Sequence, residues 1–241
     1  MRWFLLFFAS FAFANTTYTY EKWENKKKTP MTWEIKEKKG HLFLTCHENI
    51  GVTTVETLAD FKNIQNYVFE SADKKLSYNI QLKGKKLLFE KTNRGKKQKS
   101  EFKISAPWIQ QFGFGLMPFV KSSKKKIKFA LINTDKLDLV DMIAQKNEIV
   151  PLKIKDKEYQ AQKVEVSLQG FKSMFWKAEM WFDKESGDML KYVADSGPST
   201  SVTTLLFISK EKSLFNFMKK DSKSSKDPQK DKESKKLKTT K

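Results

Sequence analysis

The segment HLFLTCHE, residues 41–48, gathers both histidines and the single cysteine of the chain. These are the residue types from which metal sites, acid–base pairs and thiol nucleophiles are made. The segment alternates with period two and reads as a strand. His41 and His47 then share one face but stand about 20 Å apart at ~3.3 Å per residue, and Cys46 points to the opposite face. One ion cannot be held by both imidazoles, and Cys46 cannot use His47 as its base. Cys46 shares its face with Leu42 and Leu44, which predicts a buried thiol behaving as a small hydrophobe.

Other catalytic patterns are equally thin. The chain has no Gly-x-Ser-x-Gly elbow, no His-Glu-x-x-His pair and no glycine-rich phosphate loop. The fragment Gly113-Phe114-Gly115 is not followed by Lys-Ser/Thr. Glu179 and Asp183 lie about 13 Å apart along one strand, beyond the ~5–9.5 Å at which paired carboxylates cleave glycosides. No catalytic residue, metal ligand or cofactor is expected, and the protein is expected not to be an enzyme. A hydrolase assembled from acids distant in sequence is the catalytic alternative.

The surplus in this sequence is aromatic. MFWKAEMWFDKESGDMLKYV, residues 174–193, reads as a strand, a turn at Asp183–Asp188 and a return strand. Trp176, Ala178, Met180 and Phe182 form a core face, while Phe175 and Trp181 are large rings on a face shared with Lys177 and Glu179. On the return strand, Leu190 and Tyr192 are expected on one side and Met189 and Val193 on the other. A second apolar stretch, APWIQQFGFGLMPFV at 106–120, has no clean period and lies between two prolines. Such a loop is either tucked into the core or covers a ligand. The residues expected to contact a ligand are Trp108, Phe112, Phe114, Phe119 and Trp181.

The net charge is +19, yet Arg2 and Arg94 are the only arginines. Lysine lacks the planar fork that reads phosphate and guanine bidentately, so nucleic acid is not an expected partner. The lysines are read either as an ordinary solvated surface or as an attraction to an anionic envelope surface. Runs at Lys26–Lys28, Lys96–Lys97 and Lys124–Lys126 fall at expected turns, where charge also discourages sheet edges from pairing. Residues 211–241 are expected to be a disordered tail: from 219 onward Leu237 is the only aliphatic side chain and there is no aromatic residue.

The chain opens with Arg2, an apolar run from Trp3 to Phe13 and a small-x-small ending at Ala12-Phe13-Ala14. This pattern predicts a cleavable export signal over residues 1–14. As a helix, its apolar run would reach about 18 Å, short of a hydrocarbon core of ~30 Å. The mature protein is expected to be periplasmic or secreted.

What remains, roughly 195 residues, suits one domain over 15–210. Alternation dominates it. Tyr78, Ile80 and Leu82 oppose Ser77, Asn79 and Gln81; Val164, Val166 and Leu168 oppose Lys163, Glu165 and Ser167; Phe102 and Ile104 oppose Glu101 and Lys103. The pattern predicts a mainly antiparallel β domain of about eight to ten strands with one wet face. Further strands are expected at 31–37, 41–48, 52–58, 66–71, 86–92, 127–132 and 202–208. A helix is expected from Thr134-Asp135 to Asn147, on the helical spacing of Leu137, Val140, Ile143 and Ala144.

With the apolar Pro-Trp loop before it, VPLKIKDKEYQAQKVEVSLQG followed by MWFDKESGDMLKYV resembles the DUF3108 family of bacterial envelope proteins, best over about 150–208. That family lies near the LolA/LolB-like lipoprotein-carrier architecture, an unclosed antiparallel half-barrel whose concave, hydrophobic side is covered by helices. The resemblance implies fold and compartment and no activity. Together these features predict a single curved antiparallel sheet with one or two helices on its concave face. The expected function is non-enzymatic binding of a lipid or acyl chain in an apolar pocket. The alternative is an envelope scaffold or interaction protein without a pocket.

Overall fold

The computed structural model describes residues 14–61, 64–170, 176–195 and 202–214. The export signal up to residue 13, Phe175 and the tail beyond 214 lie outside them.

Eight strands run in sequence from the middle of the sheet to one edge. They are β1 (Ala14–Glu24), β2 (Lys27–Lys38), β3 (His41–Glu48), β4 (Gly51–Leu58), β5 (Ile64–Ser71), β6 (Leu76–Lys83), β7 (Lys86–Asn93) and β8 (Lys96–Lys103). The chain then passes through two short helices, α1 (Phe112–Gly115) and α2 (Met117–Lys121), and resumes at the opposite edge. From there β9 (Lys126–Asn133), β10 (Asp138–Ile154), β11 (Lys157–Leu168), β12 (Lys177–Asp183), β13 (Met189–Asp195) and β14 (Thr203–Leu214) return to the middle. The result is one 14-stranded antiparallel sheet in the order β8-β7-β6-β5-β4-β3-β2-β1-β14-β13-β12-β11-β10-β9. The first and last strands pair at its centre, with Tyr18 opposite Lys210.

The alternation of apolar and polar side chains does the sorting. Tyr18 and Tyr20 on β1, Met31, Trp33 and Ile35 on β2, and Leu42, Leu44 and Cys46 on β3 are all buried on the same, concave side. Hairpin turns take up positive φ where the right-handed twist demands it, as at Asn25 (51°) and Lys26 (63°) between β1 and β2. At Gly51 the backbone of β5 comes so near that a Cβ would lie 2.2 Å from the Glu70 carbonyl oxygen. The sheet curls far enough for Lys91 Nζ on β7 to donate to the Thr134 carbonyl, beyond the end of β9, at 2.7 Å.

The expected helix over 134–147 is a correction: β10 runs through it. Asn133 Oδ1 accepts from the backbone N–H groups of Asp135 and Lys136, both at 3.0 Å, and closes a turn there. Leu137 has φ 57°, which no helix admits, and Met142 and Ala144 are buried at strand spacing. The helices that do lie on the concave face are α1 and α2, formed by the apolar loop 106–120 and Lys121 after it. The strand count exceeds the expected eight to ten, and β1 had no strand assigned to it from sequence. β14 also continues to Leu214, past the expected boundary at 210.

Candidate functional site

The link between the two sheet edges, residues 104–125, crosses the concave face, and its first part closes the free edge of β9. Ala130 N–H donates to the Pro107 carbonyl at 2.8 Å, and Ile109 N–H donates to the Ala130 carbonyl at 3.0 Å. Gln110 then imitates a strand residue with its side chain. Its Oε1 accepts from Ile132 N–H at 3.0 Å and its Nε2 donates to the Ile132 carbonyl at 2.9 Å. The same Oε1 accepts from Trp108 Nε1 at 3.1 Å, so the buried indole has its partner. These bonds explain why so apolar a segment can lie against an edge: its polar groups are used.

Beyond Gln110 the chain turns back on itself. Gln111 Oε1 accepts from Phe114 N–H at 2.8 Å and caps α1. A Cβ on Gly115 would lie 2.7 Å from Ile109 Cγ2, which is why that position has no side chain. The plug so formed drives Phe114 into a ring cluster. Its centroid is 5.3 Å from Tyr18, 5.5 Å from Trp33 and 6.0 Å from Phe61. Phe112 meets Phe129 edge-on at 5.8 Å and Trp176 at 6.3 Å. Phe119 is buried, with Lys146 Nζ 5.1 Å from its ring centre.

Four of the five residues expected to contact a ligand therefore belong to one segment on the concave face. Trp108, Phe114 and Phe119 are buried, and Phe112 is partly exposed. Trp181 is elsewhere. It alternates with the buried Met180 and Phe182 on β12 and so faces the convex side, where Lys163 and Lys191, its cross-strand neighbours, flank the ring at 5.5 and 4.8 Å. A two-residue stepping rule places it there, and no rearrangement of side chains brings it to the plug.

A groove of about 770 Å³ opens at the end of the concave face bounded by the β12–β13 turn. Leu190, Phe207 and Tyr159 line its apolar part, and the last two meet edge-on at 6.5 Å. Lys157, Lys210 and Lys212 and the acids Asp183, Glu185 and Asp188 line its polar part. The acids are largely engaged. Asp183 Oδ2 accepts from the Ser186 hydroxyl at 2.7 Å and its N–H at 3.1 Å. Asp188, buried to 7% exposure, accepts from Tyr18 Oη at 3.0 Å and from Lys210 Nζ at 2.8 and 3.0 Å. Burial pushes the Tyr18 hydroxyl up to about 12, reinforced by the Asp188 charge against Lys210's opposing pull. Burial works against the Lys210 ammonium, but its bonds to Asp188 and Tyr18 prevail and hold its pKa above the usual value.

This network ties groove to plug. The Tyr18 ring that carries the hydroxyl packs on Phe114, and a Cβ on Gly187 would lie 2.7 Å from Lys121 Cε at the end of α2. None of the groove residues was singled out by sequence as ligand-binding. Asp188 ends a turn that was legible, but Tyr18 and Lys210 lie 170 and 22 residues away and only the sheet order joins them.

Among the described residues no group of three or more His, Cys, Asp and Glu side chains converges to hold a metal. His41 Nδ1 lies 2.9 Å from Glu56 Oε1 at the surface. Cys46 is a buried free thiol beside Leu42 and Leu44, as its spacing predicts, and burial pushes it up to about 12, with Glu48 adding to the shift.

No protein-family model matches the chain, and no curated protein matches it either. The DUF3108 resemblance thus rests on the quoted residues alone. Solved structures do match. The chain is similar to a β-barrel-like protein of the domain of unknown function DUF1849 from Brucella abortus, with 10% identity and a TM-score of 0.55 over 85% of this chain and 98% of that one. A hypothetical lipoprotein, YmcC, from Escherichia coli aligns at 10% identity and TM-score 0.37 over 79% and 86% of the two chains. A LolA superfamily protein from Nitrosomonas europaea aligns at 11% identity and TM-score 0.26 over 86% and 87%. The Brucella likeness shows a shared curled β fold and nothing of activity.

Proposed function

We propose that this is an exported, non-enzymatic protein of the bacterial envelope that binds a lipid or another acylated molecule on its concave face. One observation supports this most: the groove at the β12–β13 end combines an apolar lining with a lysine rim and adjoins an apolar plug. Its volume, about 770 Å³, falls within the ~300–1,000 Å³ typical of small-molecule sites. An acyl chain would lie along Tyr159, Leu190 and Phe207, gaining ~25 cal/mol per Å² of apolar surface removed from water. Lys157 and Lys212 would meet an anionic head group, because Lys210 is already committed to Asp188. Trp108, Phe112, Phe114 and Phe119 form the wall that a longer chain would have to displace. Trp181 has no part in this site.

The test is the affinity of the full mature chain for a fluorescent fatty-acyl probe. Tyr159→Ala removes a partly exposed ring from the groove, and Lys212→Glu reverses a rim charge. Each should weaken binding about tenfold or more, the equivalent of ~1.4 kcal/mol, while the urea midpoint shifts little. A parent protein that takes up no probe, or two variants that bind as the parent does, would remove this reading and leave an envelope scaffold in its place.

A further inference from the structure

Five large apolar residues are conspicuously exposed among the described residues: Trp23 (42%), Ile50 (60%), Val52 (38%), Ile149 (43%) and Val202 (50%). Four of them gather at one end of the sheet. Trp23 is next to last on β1, Ile50 is in the β3–β4 turn, Val52 is second on β4 and Val202 directly precedes β14. The strands run in the order β4-β3-β2-β1-β14, and the four positions form a staggered row at this end: Val52 stands level with His47, Thr32 and Thr19, four residues short of Trp23. Four strand spacings of ~4.8 Å and an offset of four residues at ~3.3 Å make this staggered row about 19 Å wide and about 13 Å deep. Trp23 stands opposite Thr204 on β14 and Lys28 on β2, which brings Val202 to its diagonal.

Lysines are threaded through the row. Lys28 Nζ lies 5.6 Å from the Trp23 ring centre, and its charge is shared with Glu21 at 2.7 Å. Lys22 is held by Glu24 and Glu48 at 3.5 and 3.3 Å. Lys26 and Lys27, at the tip of the β1–β2 hairpin, have no acidic partner among the described residues. The local acids are thus used up, and two unpaired ammonium groups stand at the hairpin tip, a few residues beyond Trp23.

We propose that this rim is a membrane-contacting edge that docks on an anionic bilayer surface. A staggered row of four apolar residues is far too small for a stable protein interface, which takes ~20–30 residues a side. A bilayer requires no complementary shape. It takes Trp at head-group depth, accommodates Ile and Val just below, and attracts lysine by ~1 kcal/mol per residue near the surface. A hairpin tip and a neighbouring turn at one end of a stiff sheet can both reach such a plane at once. This surface is separate from the acyl groove, which opens beside the β12–β13 turn at the other end of the strands.

Flotation of the full mature chain with vesicles settles it. Vesicles of phosphatidylcholine with about one-third phosphatidylglycerol should carry the protein, and pure phosphatidylcholine should carry much less. Trp23→Ser with Ile50→Ser should lower binding about tenfold or more, and Lys26→Glu with Lys27→Glu should do the same. Lys97→Glu with Lys99→Glu on the distant edge strand β8 makes the same change of net charge and should cost less than threefold. The proposal fails if the Trp23/Ile50 variant floats like the parent, or if the β8 variant loses as much as the hairpin variant. The latter result would assign binding to overall lysine charge. Acyl-probe affinity without vesicles should be the same in all these variants, so this proposal and the groove can fail separately.

Discussion

The Tyr18 and Phe114 rings meet edge to face, with centroids 5.3 Å apart and planes at 78°. Through that contact the plug from the edge-to-edge link rests on the central strand pair, and the Tyr18 hydroxyl carries the connection on to Asp188 and Lys210. Whatever moves the plug must disturb this junction.

Phe114→Asp should therefore unfold the chain readily. The new carboxylate would replace a ring at 4% exposure, packed among the rings of Tyr18, Trp33 and Phe61. A loss of at least about 3 kcal/mol is expected from urea unfolding. A midpoint within error of the parent would mean that the plug opens to water freely in the absence of ligand.

Asp188→Asn should loosen the same junction more mildly. Lys210 would lose its charge partner, but its side chain is 28% exposed, and water would screen the remaining ammonium. A cost of about 1–2 kcal/mol is expected, and Lys210→Met in the Asp188→Asn background should recover part of it. Tyr18→Phe, which removes a donor and leaves the ring, should cost about 1 kcal/mol.

Stability should fall on the alkaline side. Cys46 and Tyr18 both have pKa values pushed up to about 12, chiefly by burial. A raised folded-state pKa means that the folded chain keeps a proton the unfolded chain has released, so stability drops as pH climbs. The loss should begin near pH 9, where an unfolded thiol ionises, and deepen from pH 10 to 12 as tyrosines join. Urea midpoints from pH 7 to 11 should show this slope, and Cys46→Ala should delay its onset. The parent thiol should also resist a disulfide reagent at pH 8 until denaturant is added.

Truncation should separate strand from tail. Removing residues 215–241 should leave the unfolding midpoint nearly unchanged. Removing residues 211–241 deletes the pairing of Glu211, Lys212, Ser213 and Leu214 with Thr17, Thr16, Asn15 and Ala14, and should lower it clearly.

Period-two patterning made most of the sheet legible, because a strand's buried face is written into its own residues. The hairpin at 177–195 came out with Ala178, Met180 and Phe182 inward as read. Its return strand did not: a register shift between Trp181 and Phe182 leaves both Met189 and Leu190 buried. Over 134–147 two periods coexist, since Val140, Met142 and Ala144 step by two while Leu137, Val140 and Ala144 step as a helix. Asn133 decides between them through its turn bonds. From sequence no strand is assigned to β1 although Thr17, Tyr18, Thr19 and Tyr20 alternate, and so neither Tyr18 nor Trp23 is placed. The groove was invisible for a different reason. Its walls come from β11, β12, β13 and β14, and strand order is set by pairing between segments that no local pattern encodes.

The seam between β1 and β14 has a consequence in time. As the chain emerges from synthesis, the first eight strands can zip together in order, each hairpin closing on its neighbour. β1, already complete, must leave one backbone edge unpaired until the final strand arrives, because Ala14 finds its partner only at Leu214. So late a contact between such distant residues slows folding and leaves a strand edge open to intermolecular pairing in the interval. Escort of the nascent chain is most needed just before the dozen residues of β14 appear. A stalled chain ending at about residue 200 should be the most aggregation-prone length in a truncation series.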